Sequence, residues 1–178
     1  MKNIVLLLAI SFILSCTDDD ATGINETDPL ELTLVTGIDL RETPDQVPMR
    51  LGNPNIFNPN QMNVYPNPSL DVLTISAGQP ITDLYFIASQ AEKIHQDVIF
   101  EDLLNSNTYD ESTISSSAVL KVTNENSNAI AVNISGLAPG YYKVFIKLGG
   151  DLYWDTIYKL DTTSGTNKEF DALINFWD

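Results

Sequence analysis

The sequence predicts an all-β fold: an antiparallel β-sandwich followed by a short C-terminal amphipathic helix. Three observations predict it. Apolar and polar side chains alternate at period two in segments between residues 72 and 160. The stretches between these segments are rich in Asn, Gly, Ser and Pro. A clear helical period appears only after residue 165. Length bounds the rest, because 178 residues with 43% hydrophobic side chains suit one domain with a real core.

The chain begins with one positive charge, Lys2, and an almost wholly apolar run from Ile4 to Leu14 broken by Ser11. Eleven residues are too few to span a bilayer, which takes about 20 in a helix. The run therefore reads as the apolar core of a signal peptide. From Thr17 to Val47 nine acids face the single base Arg41, a composition that mostly fails to offset the entropy of ordering. This predicts a largely flexible acidic tether over residues 16–61. Leu30, Leu32 and Leu34 alternate with Glu31 and Thr33, so a first strand is expected to dock there. Gly52 to Pro68 follows with four prolines and six asparagines, and regular structure is not expected in it.

The predicted sandwich covers residues 62–160. Val72 to Ile75 makes a short strand, and Ile81 to Ala88, apolar on both faces, makes a central one. The segment from Glu92 to Asn107 fits a long strand or a short helix equally well. Leu120 and Val122 belong to one alternating run, Ile130, Val132 and Ile134 to the next. The Asn-rich stretch Asn124 to Asn128 between them reads as a hairpin loop. Tyr142, Val144, Ile146 and Leu148 are expected to face inward, leaving Tyr141, Lys143, Phe145 and Lys147 outside. Gly149-Gly150 closes a tight hairpin onto Asp151 to Leu160. Residues 161–178 form a linker and the last helix, where Thr166 and Glu169 have capping-box spacing and Phe170, Leu173, Ile174 and Trp177 share one face.

Two groups of residues carry resemblances. The end of the apolar run, Ile13-Leu14-Ser15-Cys16, resembles a bacterial lipobox. That resemblance implies cleavage before Cys16 (signal peptide 1–15), a diacylglycerol thioether on its sulfur, and acylation of the new amine. Several chains together fix a protein to a membrane, since each buried methylene contributes about 0.8 kcal/mol. The following Asp18-Asp19-Asp20 resembles the export signal of surface-displayed lipoproteins, which implies an outer-membrane location facing the cell exterior. Further on, Asn63-Val64-Tyr65-Pro66-Asn67-Pro68-Ser69 and, later, Leu137-Ala138-Pro139-Gly140-Tyr141-Tyr142 resemble the opening and closing motifs of the C-terminal sorting domain of type IX secretion cargo. This resemblance implies an Ig-like β-sandwich and a sorting role. The chain departs from that pattern in lacking an Asp and a Gly after the second strand, in its long insertion from Glu92 to Ser117, and in running on past Lys159. The Pro-Gly turn is equally a feature of transthyretin-like and pilin-like sandwiches, where Pro fixes φ and Gly supplies a positive one.

A formal charge of −15 sets nucleic acid aside as a partner, because that affinity comes from Lys and Arg at phosphates. The only His is His95, no Gly-x-Ser-x-Gly elbow occurs, and Cys16 is committed to lipid, so no enzyme is expected. One Cys and one His disfavour zinc. Calcium is the metal the composition allows, with Asp110, Glu111 and Asp151 as unranked oxygen donors, although no EF-hand spacing is present. Tyr141, Phe145 and Tyr153, with Trp154 nearby, are expected on adjacent strands of one hairpin, where they would make a flat face for a glycan or be covered by another element. The expectation is a non-enzymatic surface lipoprotein acting as an interaction module for a protein or envelope complex. A carbohydrate-binding lipoprotein and a secretion sorting module stand as alternatives.

Overall fold

The computed structural model describes residues 27–59, 62–161 and 166–178. The signal run, Cys16 and Asp18-Asp19-Asp20 lie outside the described residues.

The expected all-β Ig-like sandwich is corrected: the fold is mixed α/β, with internal helices and an open sheet that is part parallel and part antiparallel. Strand β1 (Leu34–Val35) runs parallel to the end of β5 (Val72–Ala91), with Leu34 opposite Gln90, and β2 (Gly37–Leu40) and β3 (Met49–Gly52) form a separate hairpin. Strand β4 (Met62–Tyr65) precedes β5, and α1 (Phe100–Leu103) and α2 (Glu111–Ser117) follow it. Then come β6 (Leu120–Val122), β7 (Ser127–Asn133), β8 (Gly140–Leu148), β9 (Asp151–Lys159) and α3 (Thr166–Trp177).

Strand β5 organises everything else. The two strands expected at 72–75 and 81–88 are one 20-residue strand whose register shifts between Ser76 and Ile81, beside the breakers Gly78 and Pro80. Its first half pairs with β4 and β7, and its second half with β6 and β8, and β8 pairs in turn with β9. Because β5 changes partners halfway, side chains from both halves meet in one core, which includes Leu73, Ile75, Leu84, Phe86, Val132, Val144, Ile146 and Ile157. The hairpin expected at Asn124 to Asn128 is absent. Strands β6 and β7 run in the same direction along β5, Val122 opposite Leu84 and Ser127 opposite Ile81, and Glu125 N donates to Thr82 O between them. The Asn-rich stretch is therefore a loop within one continuous partner of β5, and Asn124 takes φ +61 there, a conformation Asn tolerates.

The inward row Tyr142, Val144, Ile146 and Leu148 is buried as its alternation requires. The opposite row is not open to solvent. Phe145 is 0% exposed because α1, α2 and the chain around them cover it, through Phe100, Leu104, Ile114 and the partly buried Tyr109. Four- and seven-residue helices carry little period to read. Helix α2 is set by Asp110, whose carboxylate accepts from Thr113 N at 2.9 Å, and by the burial of Ile114.

The stretch expected as flexible tether also contributes structure. Val35, Ile38, Leu40 and Leu51 pack with Leu173 and Trp177 of α3 into a third cluster. Helix α3 thus docks on the β2–β3 hairpin. Beside it, Asn67 is a fully engaged staple: Nδ2 donates to Asp39 O and Thr156 O, and Oδ1 accepts from Tyr158 N. Both prolines flanking Asn67 follow cis peptide bonds.

Candidate functional site

The aromatic residues expected to form one binding face do not come together as an open platform. Tyr141 and Phe145 share one side of β8, whereas Tyr153 packs toward the opposite core, stacked on Phe57 with ring centroids 5.5 Å apart. Phe145 and Trp154 are both 0% exposed, and Tyr141 lies beneath Trp177. Alternation gives the two sides of β8, but it neither puts Tyr153 on the side of Tyr141 and Phe145 nor shows which residues cover the outer face.

Two of the candidate calcium donors are already engaged. Asp110 caps α2, and Glu111 accepts two bonds of 2.8 Å from Lys147 Nζ and one from the Tyr85 hydroxyl. Asp151 starts β9 opposite Leu148. Among the described residues no three His, Cys, Asp or Glu side chains converge as a metal site. His95 Nε2 donates to Thr27 O at 2.8 Å, which gives the only imidazole a local structural partner. Cys16, Asp18, Asp19 and Asp20 fall outside the described residues.

What the structure does assemble is a polar cleft of about 600 Å³ between the β2–β3 hairpin and the edge made by β4, β5 and β9. Its charged lining is Asp39, Arg41, Asp45, Arg50 and Asp155, joined by the amides Gln46, Asn58 and Asn63. The strands fix each group. In β2, Ile38 and Leu40 point into the third cluster, which turns Asp39 to the other side. Arg50 sits directly opposite it in the hairpin and donates through Nε at 2.9 Å and Nη2 at 2.8 Å, a bidentate pair. Arg41 donates from Nη1 to Asn63 Oδ1 at 2.8 Å.

Asp155 forms part of the lining. It stands opposite Val144 and between Tyr153 and Ile157, at a strand position whose neighbours face the main core. It is 3% exposed, and its Oδ1 accepts from Thr156 N at 2.8 Å. Burial pushes its carboxyl up to about 6; the negative charge of Asp39 pushes the same way, against the bond from Thr156 N, the charge of Arg41 and a bond from Asn58. Arg50 moves up from its ordinary value, chiefly through its bond to Asp39. Of the two buried acids here, Asp39 is directly paired with a guanidinium, and Asp155 has no such salt bridge among the described residues.

The sequence reading passed over this group. The available signal was Asp155 itself, a charged residue where the alternation Tyr153, Asp155, Ile157 calls for an apolar one. A second buried ion lies elsewhere. Lys143 is 0% exposed, with Nζ bonded to Glu31 O at 3.2 Å and to the Tyr109 hydroxyl at 3.1 Å. It is not part of the cleft described above and clasps the entering chain to β8.

Compared with protein families, curated proteins and solved structures, the chain matches none of them.

Proposed function

We propose that this chain is a non-enzymatic interaction module held on the outer membrane by lipid on Cys16 and displayed to the exterior. The observation that carries the interaction is the cleft of Asp39, Arg41, Arg50 and Asp155, where charged groups are held in place by strands rather than by loose side chains. A binding role fits the engagement of these groups better than a catalytic one. Asp39 is committed at both oxygens to Arg50, and the only imidazole is tied to Thr27 away from the cleft. The lipobox-like Ile13-Leu14-Ser15-Cys16 supports the anchoring, and the acidic run after it supports display.

Cell fractionation tests the anchoring. Cys16→Ser is expected to move the protein from the membrane to the soluble fraction, and a variant that stays with the membrane overturns it. Protease shaving of intact cells tests display: the protein is expected to be digested, and a triple Asp18/Asp19/Asp20→Ala variant to be protected. Equal digestion of both removes the role of the acidic run.

A further inference from the structure

The cleft has a charge arrangement that selects among ligands. Burying a carboxyl without an ion-pair partner is expensive, and the cost is normally met by a cation, a metal or protonation. Asp39 has its cation in Arg50, while Asp155, more deeply enclosed, has no salt-bridge partner among the described residues. The nearby Arg41 directs Nη1 at Asn63 instead. With the whole lining ionised, its three acids, Asp39, Asp45 and Asp155, exceed its two guanidiniums, Arg41 and Arg50, by one negative charge. The opening is ample for a ligand end group, since small-molecule sites run from roughly 300 to 1,000 Å³ and this one is about 600 Å³.

We propose that the cleft binds a ligand through a primary ammonium group seated against Asp155 and Asp39. This deepens the reading of the chain as an interaction module and rests on the cleft being its interaction site. An ammonium supplies one positive charge and three N–H donors, which match the surplus charge and the carboxylate and amide oxygens of the lining. A neutral polyol would leave the surplus charge unpaired, and an anion at Arg41 would meet Asp39, Asp45 and Asp155 across the same cleft. The charged groups facing Asp155 are Asp39 from β2, Arg41 just after it and Arg50 from β3, with Asp45 also lining the cleft. An ammonium can come from a polyamine or from the N-terminus of a peptide, and the two are separable by experiment.

The test is isothermal titration of the full lipidated chain in detergent micelles at 150 mM salt. The probes are 1,4-diaminobutane and triglycine, with 1,4-butanediol and N-acetyl-triglycine as uncharged counterparts. At least one ammonium probe is expected to saturate at one per chain, and its counterpart to give no heat. Saturation by diaminobutane alone assigns a polyamine, and by triglycine alone a peptide end. Asp155→Asn is expected to weaken binding at least tenfold, whereas Asp171→Asn, exposed on α3 and outside the cleft lining, leaves it within twofold. Lowering pH from 7.5 to 5.0 is expected to weaken wild-type binding about tenfold as the Asp155 carboxyl takes up a proton, which decides the matter even if the variant fails to fold. Silence from both ammonium probes, equal binding of the counterparts, or affinity unchanged in Asp155→Asn overturns the proposal. The Cys16→Ser fractionation is independent of these arms, so the anchored-module reading can survive that failure.

Discussion

Trp177 Nε1 donates to the Tyr141 hydroxyl at 3.0 Å, with the indole set edge-on to the phenol ring. This contact joins the last turn of α3 to the outer row of β8, across the β2–β3 hairpin that forms the cleft wall. Gly52 at the end of β3 is shaped to it, since φ is +65 and an added Cβ would lie 2.6 Å from the Trp177 ring. Trp177→Ala is expected to destabilise the fold by about 3 to 5 kcal/mol as a buried aromatic is lost, and Trp177→Phe by about 1 kcal/mol plus some packing loss. Urea unfolding measures both. An unchanged midpoint for Trp177→Ala would show that α3 contributes nothing to the folded unit.

Asp155 opposes folding at neutral pH, and the sign follows from its direction of shift. Its carboxyl titrates near 6 in the folded chain and near 3.9 when unfolded. Between these values the folded state holds the extra proton, so the contribution of Asp155 to stability falls as pH rises from about 4 to 6. Asp155→Asn keeps an oxygen for Thr156 N and removes the charge. It is expected to stabilise the chain at pH 7 by an amount on the order of 2 to 3 kcal/mol and to flatten that pH window. A variant less stable than wild type at pH 7 would contradict this. A stabilised variant that loses ligand is the signature expected of a binding residue.

The parts of the fold legible in the sequence are those whose local pattern and tertiary role agree. Strand β8 shows its inward row Tyr142, Val144, Ile146 and Leu148 before the Gly149-Gly150 turn, and α3 shows its apolar stripe, so both are readable. Strand β5 is not, because Gly78 and Pro80 read as an ending where the structure absorbs them in a register shift. The same limit hid the continuity of β6 and β7, since turn-forming residues serve equally in a reversal and in a loop along one partner strand. Helix α2, Glu-Ser-Thr-Ile-Ser-Ser-Ser, exists through one cap and one buried Ile114. The cleft was illegible for a topological reason: Asp39, Arg50 and Asp155 converge from three strands, two of them in a stretch whose acidity argues for coil.

Thr156 carries a buried hydroxyl with no hydrogen-bond partner among the described residues. Its backbone is engaged with Asn67, so the hydroxyl is the one unsatisfied polar group at that position. Replacing it by the same-shaped Val removes the desolvation penalty. Thr156→Val is expected to stabilise the fold by about 1 kcal/mol, within the cost of leaving one such group unmade. Thermal unfolding at pH 7 checks it, and a lower midpoint would mean that the hydroxyl has a partner.

Lys143 gives the opposite pH dependence to Asp155. Burial pushes its amine down to about 7, against an unfolded value near 10.4. Between these limits the unfolded chain binds the extra proton, so stability rises with pH across that window, by at most about 1.4 kcal/mol per unit. The rise ends near pH 10, where Tyr85, pushed up to about 12, and Tyr109 and Tyr141, also raised by burial, keep protons that the unfolded chain releases. Lys143→Met separates charge from contact. It removes the buried cation but leaves Glu31 O and the Tyr109 hydroxyl without their donor. The neutral amine still makes both bonds, so wild type is expected to be the more stable form at pH 9.5. At pH 6 the charged amine carries its full desolvation cost, and the gap is expected to close or reverse. Guanidinium unfolding of the two proteins from pH 6 to 9.5 measures this convergence toward low pH; parallel stability curves would show that Lys143 is not desolvated in the folded chain.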